Sequence, residues 1–528
     1  MKFNYAKTIE KWDVFEVTVS GPKEGNPFCD QWIKGTFCCK NEKKTVDGFY
    51  DGDGVYKVRF MPSFTDEYTF EIEASFDINA EYKLGTADGG KAAEKCAVRN
   101  ILTGIFTVIP PSADNHGPVR VAGTYYLAYE DGTPYHCIGT TCYVWNLQNE
   151  ELQKQTLKTL EENAFNKIRF CIFPKHYDYN LHEPITYPYE GTPCDSSVLN
   201  ENNFAEYNGC APGNDWDFTR FNPAHFQHIE KCIQALMKLG IEADLIVMHP
   251  YDRWGFSMMK AEDDDRYWKY VLARFSAYRN VWWSLANEYD LMHEKTLSDW
   301  ERYAGIICEK DPYHHLRSIH NCKAYYDYNL PWITHCSVQR TETYRSSELV
   351  NEWREKYHKP VILDEICYEG NIQFGWGNIS GEEMTRRFWE AFCRGGYPGH
   401  GETYLSPDRI LWWSHGGVLH GTSPERIKFL AKIMEETPGL GVEPMPCKWD
   451  EVACRAAGFP ARKDYFIYYY SFMRPGFRDF YFDDTTEYQV EIIDTWEMTI
   501  TDGGVHKGKF RVKLPGKEYM AVRLRVAK

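Results

Sequence analysis

The sequence predicts an α/β protein, a (β/α)8 TIM barrel flanked by N-terminal and C-terminal β-sandwich domains. Three observations carry that expectation. The chain has 528 residues, too many for one ordinary domain but enough for a barrel with smaller companions. Residues 113–445 alternate strand-like apolar runs with amphipathic helical patterns, whereas both flanks show period-two alternation broken by turn residues. Two apolar runs, 281–289 and 360–365, reach Asn287-Glu288 and Asp364-Glu365 abruptly. A carboxylate just past a buried strand is costly unless the site pairs it or uses it.

Residues 1–112 read as all-β. Segments 14–19, 54–60 and 67–72 alternate in strand fashion between Gly, Pro, Asn and Asp turns, which predicts a small sandwich. Asp51-Gly52-Asp53-Gly54 has calcium-loop composition but lacks the downstream ligands of an EF-hand, so a tight turn is expected. Within 113–445 the strand candidates are 136–139, 167–172, 243–248, 281–289, 316–319, 333–338, 360–365 and 410–413. Between the second and third, Asn222-Pro223 supplies a cap and a first-turn Pro. Phe226, Ile229, Ile233, Leu236 and Met237 then form one stripe, which Gly240 stops. A second helix is predicted over 294–310, with Trp300, Ala304, Ile307 and Cys308 on its apolar side. Eight strands with intervening helices favour a closed barrel over an open sheet. Residues 446–528 turn β-like again at 465–470, 488–493 and 521–526, a short C-terminal sandwich.

Composition narrows the partners. A net charge of −16 argues against nucleic acid and anionic membrane. No run of apolar residues is long enough for a transmembrane helix. Met1-Lys2-Phe3-Asn4-Tyr5 lacks the apolar stretch of a secretory signal. The 17 Cys have no repeating spacing, and Cys137, Cys171 and Cys336 lie in apolar strands, where a free thiol behaves as a small hydrophobe. A reducing cytoplasm is the expected location. The chain carries no zinc-protease motif, no phosphate-binding loop and no dinucleotide fingerprint, so no cofactor and no metal are expected. Composition leaves homo-oligomerisation open.

Glu288 ends the fourth predicted strand and Glu365 the seventh. Strand C-termini are where barrel enzymes place catalytic side chains. Two carboxyl groups meeting there suit glycoside hydrolysis, with a gap of roughly 5–5.5 Å giving retention and roughly 6.5–9.5 Å inversion. The bland alternative makes each a helix-start carboxylate stabilised by the dipole. Among competing acids, Asp364 should point away from the mouth by strand alternation. Glu369 lies in the next loop and either binds sugar hydroxyls or is the nucleophile if the strand end is misplaced. Glu402 precedes the eighth predicted strand and is expected to orient another group.

Substrate contacts are expected from His249 and Asp252 after strand three and from His320 after strand five. Trp145 after strand one and Trp413 on strand eight are candidates for stacking on a sugar, with core packing equally plausible for each. Trp376, in a loop, is the better candidate for a cleft wall.

Asn287-Glu288 and Glu365 resemble the acid/base and nucleophile of clan A retaining glycoside hydrolases. Arg169, in Asn166-Lys167-Ile168-Arg169, resembles the Arg that holds the nucleophile ionised in that clan. The segment 48–54, followed by Tyr56 and Arg59-Phe60-Met61-Pro62, is similar to the N-terminal sandwich that precedes barrel glycosidases. Leu363-Asp364-Glu365 with Tyr368-Glu369-Gly370 looks like the apiosidase-related group. The resemblance covers nearly the whole chain. It implies a double displacement in which Glu365 attacks, Glu288 serves first as acid and then as base, and Asn287 holds the sugar 2-hydroxyl. The expected enzyme is a metal-independent, retaining exo-glycosidase acting on short plant-derived oligosaccharides or glycosides, apiosidase- or pentosidase-like. The loop over 178–220, rich in Tyr, Pro, Asn and Gly, is expected to wall one end of the cleft. An endo-acting glycanase and a non-catalytic carbohydrate-binding protein are the alternatives.

Overall fold

The computed structural model describes residues 3–78, 100–176, 183–197, 199–200, 203, 210–342, 344–446 and 451–527. Parts of the predicted cleft-walling loop (178–182, 198, 201–202 and 204–209) lie outside them. Eight parallel strands make the central sheet: β1 (Gly139–Thr141), β2 (Lys167–Cys171), β3 (Glu242–Met248), β4 (Val281–Ala286), β5 (Arg317–Ser318), β6 (Cys336–Gln339), β7 (Val361–Glu365) and β8 (Tyr397–His400). Their spatial order is β5-β4-β3-β2-β1-β8-β7-β6. His320, just past β5, bridges Ser337 of β6 in parallel register, so the two edges meet and the sheet closes. The expected barrel is present.

Two strand assignments change. Residues 412–415 form a short helix, Trp412–His415, and the eighth strand is Tyr397–His400. Its Pro398 and Gly399 hide it from a propensity reading. Gly399 is required there, because a Cβ would stand 2.7 Å from the carbonyl oxygens of Leu363 and Asp364 in β7. Glu402 therefore follows strand eight. Strand one begins at Gly139, where the predicted run ends.

The helices follow their caps. Asn222 accepts from the Ala224 amide and opens α1 (Pro223–Lys238), which buries Phe226, Ile229, Ile233 and Leu236. The second predicted helix starts at Leu297 because Thr296 and Asp299 form a capping box, giving α2 (Leu297–Lys310). The antiparallel pair Val119–Ala122 and Tyr126–Tyr129 covers the N-terminal ends of the barrel strands. There Val119 and Leu127 pack with Tyr135, Trp282, Ile362 and Tyr397.

The N-terminal sandwich has a four-stranded sheet (Phe3–Tyr5, Phe15–Ser20, Val55–Phe60, Phe49–Tyr50) facing a five-stranded one. Phe15 stacks on Phe106 at 3.7 Å and Phe37 on Phe60 at 4.3 Å between them. Asp51-Gly52-Asp53-Gly54 is a tight turn with Gly52, Asp53 and Gly54 at positive φ. The Asp51 carboxylate meets Arg274 at 2.7 Å and Lys57 at 3.0 Å. Arg59 bonds Glu230 of α1 at 2.5 Å, and Glu230 also pairs with Arg274 at 2.7 Å. Buried charges thus tie sandwich to barrel. At the other end, a six-stranded antiparallel sheet (Val442–Met445, Val452–Ala456, Tyr465–Tyr469, Met520–Val526, Tyr488–Asp494, Thr499–His506) packs Tyr469 on Trp389 at 5.6 Å.

Candidate active site

Glu288 follows Asn287 just past β4 and adopts a left-handed backbone, φ 51°, a conformation that costs a side-chain-bearing residue about 1–3 kcal/mol. Its neighbours hold it there. The Asn287 amide donates to Met248 O at 3.0 Å, and the Tyr289 amide to His320 O at 3.0 Å. Three strand ends therefore fix one carboxylate. Glu365 closes β7, and its own carbonyl accepts from the Arg340 amide at 2.8 Å.

A hydrogen-bonded chain joins the two acids. Arg169 Nη1 donates to Glu365 Oε1 at 3.1 Å, and its Nη2 donates to Asn287 Oδ1 at 3.1 Å. Asn287 Nδ2 donates to Glu288 Oε2 at 3.2 Å. The Tyr143 hydroxyl donates to Glu365 Oε1 and also lies 3.1 Å from Asn287 Oδ1. Glu288 is held from its other side by the Tyr251 hydroxyl at Oε2 and by Gln339 Nε2 at Oε1, 2.9 Å. The two acids differ in surroundings. Glu365 faces a guanidinium and a phenol, whereas Glu288 is bonded to amides and a phenol.

Beneath them, Lys167 Nζ bridges Asp244 and Asp364 at 2.7 Å each, and Ser337 Oγ donates to Asp364 at 2.5 Å. Asp364 thus turns into the barrel interior. Burial acts to raise its pKa, but Lys167 and Arg169 outweigh burial and hold the carboxyl well below the usual range. Arg169 Nε lies 3.7 Å from Asp364 and 3.8 Å from Asp244. One guanidinium therefore connects the interior charges to the mouth.

The cavity at the strand ends has a volume of about 290 Å³. Glu288 and Glu365 line it with Tyr143, Lys175, Tyr251, Gln339, Tyr368, Trp376 and Trp413. Lys175 lies over the Tyr143 ring at 3.3 Å and the Tyr251 ring at 4.3 Å, and burial pushes its ammonium down to about 8. Trp376 and Trp413, both on this lining, meet at 5.2 Å.

The remaining predicted contacts fall elsewhere. Arg169 and Asn287 stand behind the carboxylates and do not line the cavity. His249 and His320 are buried, and burial lowers each to about 3, leaving neutral rings in the packing. His320 Nε2 lies 3.9 Å from Glu365, beyond hydrogen-bond reach. Asp252 is spent on the amides of Trp254, Gly255 and Ser257, fixing the loop after β3. Trp145 is buried edge-on to Phe170 at 5.7 Å. Glu402 faces Glu369 and His400 outside the cavity lining.

Sequence reasoning missed Tyr143, Lys175, Tyr251 and Gln339. Each lies at or a few residues past a strand end, the position that exposed the two Glu residues. A phenol or amide near a strand end carries no desolvation penalty large enough to single it out, and Lys175 lies beyond the apolar run of β2, where a Lys reads as exposed.

Residues 122–438 match the family model of the apiosidase-like catalytic domain. Residues 8–75 and 449–525 match two domains of unknown function, DUF5060 and DUF5605. The chain is similar to a "putative glycoside hydrolase" from Bacteroides vulgatus ATCC 8482, at 37% identity and TM-score 0.87, over 99% of this chain and 100% of that one. A glycoside hydrolase family 5 structure from the same organism shares the fold, at 16% identity and TM-score 0.58, over 78% of this chain and 94% of that one. No curated protein matches. The chain belongs to the apiosidase-like family and is a glycoside hydrolase with a (β/α)8 barrel.

Proposed function

We propose that the protein is a retaining exo-glycosidase in which Glu365 is the nucleophile and Glu288 the acid/base. The observation that carries the assignment is the asymmetric chain Glu365–Arg169–Asn287–Glu288. Arg169 sets a fixed positive charge against Glu365, which suits the group that must attack as an anion. Glu288 is bonded to Asn287, Gln339 and Tyr251, all uncharged, which suits a carboxyl that must carry a proton first. In the first step Glu365 attacks the anomeric carbon while Glu288 protonates the departing oxygen. In the second, Glu288 takes a proton from water as that water displaces Glu365. The Tyr143 hydroxyl can shift from Glu365 to Asn287 as Glu365 loses its charge.

The small cavity supports action on a terminal residue, because about 290 Å³ lies at the lower end of ligand-pocket volumes. Trp376 and Trp413 offer faces for a sugar ring. Short plant-derived oligosaccharides or glycosides are the proposed substrates, and the apiosidase-like family model supports a pentoside. A cytoplasmic location is in keeping with the free thiols of all the described cysteines. Among the described residues no helix is long and apolar enough to cross a membrane.

The test is release of sugar from a panel of aryl apiosides, arabinofuranosides, xylosides, glucosides and galactosides, wild type beside Glu365→Gln. Turnover on one member that vanishes in the variant supports the assignment. Product NMR at early times reads the anomer first released, and inversion would overturn the double displacement. Equal binding by both proteins with no turnover by either would identify a carbohydrate-binding protein instead.

A further inference from the structure

Outside the cavity, Glu369, His400 and Glu402 converge in the protein interior, all three buried. One ligand-capable atom from each lies within 4.8 Å of the others. Glu369 comes from the loop after β7, His400 ends β8, and Glu402 starts the loop after it. Residues 369–370 and 402–403 pair in parallel, which holds the two carboxylates side by side. Among the described residues neither forms an ion pair with Lys or Arg. Glu369 instead accepts from the Thr422 amide (2.7 Å), the Ser423 amide (3.0 Å), Thr422 Oγ1 (3.1 Å) and the Tyr404 hydroxyl (3.3 Å). Glu402 accepts from the amides of His420 (2.6 Å) and Gly421 (2.7 Å). These dipoles orient the carboxylates without cancelling two buried charges.

The histidine supplies the second observation. His400 Nδ1 is engaged by Thr140 Oγ1 at 3.2 Å, and Trp412 Nε1 donates to that oxygen at 2.8 Å. Among the described residues Nε2 is buried without a hydrogen-bond partner. The imidazole is too far from both carboxylates to bond them directly, yet close enough to share a centre with them. Atoms this close can be drawn onto one ion, whose ligands stand roughly 2.0–2.3 Å from it. A hydrogen bond at Nδ1 that leaves Nε2 free is the usual arrangement behind a ligating histidine. Gly421 shows the convergence directly. A Cβ there would stand 2.4 Å from Glu369 Oε2 and 2.7 Å from Glu402 Oε2.

We propose that Glu369, His400 and Glu402 form a structural divalent-cation site that fastens the loops after β7 and β8. Two carboxylates and one neutral imidazole balance a doubly charged ion, and Zn2+ best matches this mixed oxygen–nitrogen set. The site reaches the cavity through the chain. Glu369 follows Tyr368, whose amide donates to Trp376 O at 2.7 Å, and Thr403 Oγ1 donates to Gly377 O at 2.6 Å. The ion would thus brace the wall that carries Tyr368 and Trp376.

The test uses the full chain, freed of metal with a chelator and titrated with Zn2+, then Mn2+ and Ca2+, by calorimetry and thermal unfolding. About one equivalent bound per chain, with Tm rising with free metal, is the expected result. His400→Gln and Glu402→Gln should each weaken binding at least about tenfold. Co2+ added to the metal-free chain should give ligand-field bands that change in His400→Gln. Folded wild type that takes up none of these ions, with no change in Tm, would overturn the site. Variants that fold and bind as wild type would equally overturn it. Should the variants not fold, the wild-type titration and the Co2+ spectrum decide alone.

Discussion

Arg169 Nη1 donates to Glu365 Oε1 at 3.1 Å while the same guanidinium stands 3.7 Å from Asp364 in the barrel interior. One side chain therefore serves the proposed nucleophile and the buried ion cluster together. Arg169→Met should lower kcat/KM by about 10²–10³. It should also destabilise the fold by about 3–5 kcal/mol, because Lys167 alone is left with Asp244 and Asp364. Arg169→Lys should restore neither in full, since an ammonium cannot bond Glu365 and Asn287 from two fixed nitrogens. Steady-state kinetics and thermal unfolding on the two variants check this. A wild-type kcat/KM in Arg169→Met would sink it.

Glu288 should matter in proportion to how badly the leaving group needs a proton. Glu288→Ala is expected to lose about 10²–10⁴ in kcat/KM on sugar or alkyl leaving groups and far less on a dinitrophenyl glycoside, where water attack without a base then limits kcat. Added azide should restore turnover and yield a glycosyl azide of retained configuration. Uniform loss across leaving groups, with no azide effect, would remove Glu288 from the acid/base role.

Lys175 gives the cavity a charge that depends on pH. Burial pushes its ammonium down to about 8, so it is charged below that pH and neutral above it. The apparent KM should rise as pH climbs through about 8. Lys175→Arg should move the rise to higher pH. Superimposable KM–pH curves for wild type and variant would show that the ammonium does not contact substrate.

Glu242 predicts a stability change of definite sign. It is fully buried at the start of β3, bonded to Trp282 Nε1 at 2.8 Å, and burial pushes its carboxyl from 4.5 up to about 8. The folded state binds this proton more tightly than the unfolded chain. The stability so gained is full below pH 4.5, declines between 4.5 and about 8, and is gone above that. Glu242→Gln keeps an acceptor and cannot ionise. Its Tm relative to wild type should climb steadily from pH 5 to 8, and a constant difference would refute the account.

Gly401→Ala tests the packing behind the cavity. A Cβ at Gly401 would stand 2.0 Å from the Tyr368 ring, so the ring must move. Lost stability and a raised KM are expected, because Tyr368 lines the cavity. Unchanged kinetics would show that the Tyr368 position is not needed for binding.

The sequence made the barrel legible because its long strands are continuous apolar runs and its helices carry caps such as Asn222-Pro223. Strand eight was not, because Tyr397-Pro398-Gly399-His400 is short and selected for close approach rather than β propensity. The two glutamates stood out because a charge beside a buried strand requires a reason. His249, His320, Asp252 and Glu402 met the same positional criterion, yet the structure turns them to packing, loop amides or Glu369. Position along a strand does not specify which way a loop side chain turns. Tyr143, Tyr251 and Gln339 show the converse: uncharged groups whose importance appears only when distant strand ends come together.

The hairpin residues Val119 and Leu127, packed with Tyr135, Trp282, Ile362 and Tyr397, seal the barrel opposite the cavity. The cavity therefore has no passage through the barrel to the hairpin side. On the proposed function, the cut sugar has no exit through the barrel and leaves from the strand-end side on which the glycoside arrived. Under the proposed exo action the released monosaccharide would compete with the next substrate on that side, so turnover would depend on how fast the sugar clears Trp376 and Trp413 as well as on the chemistry of the proposed catalytic pair.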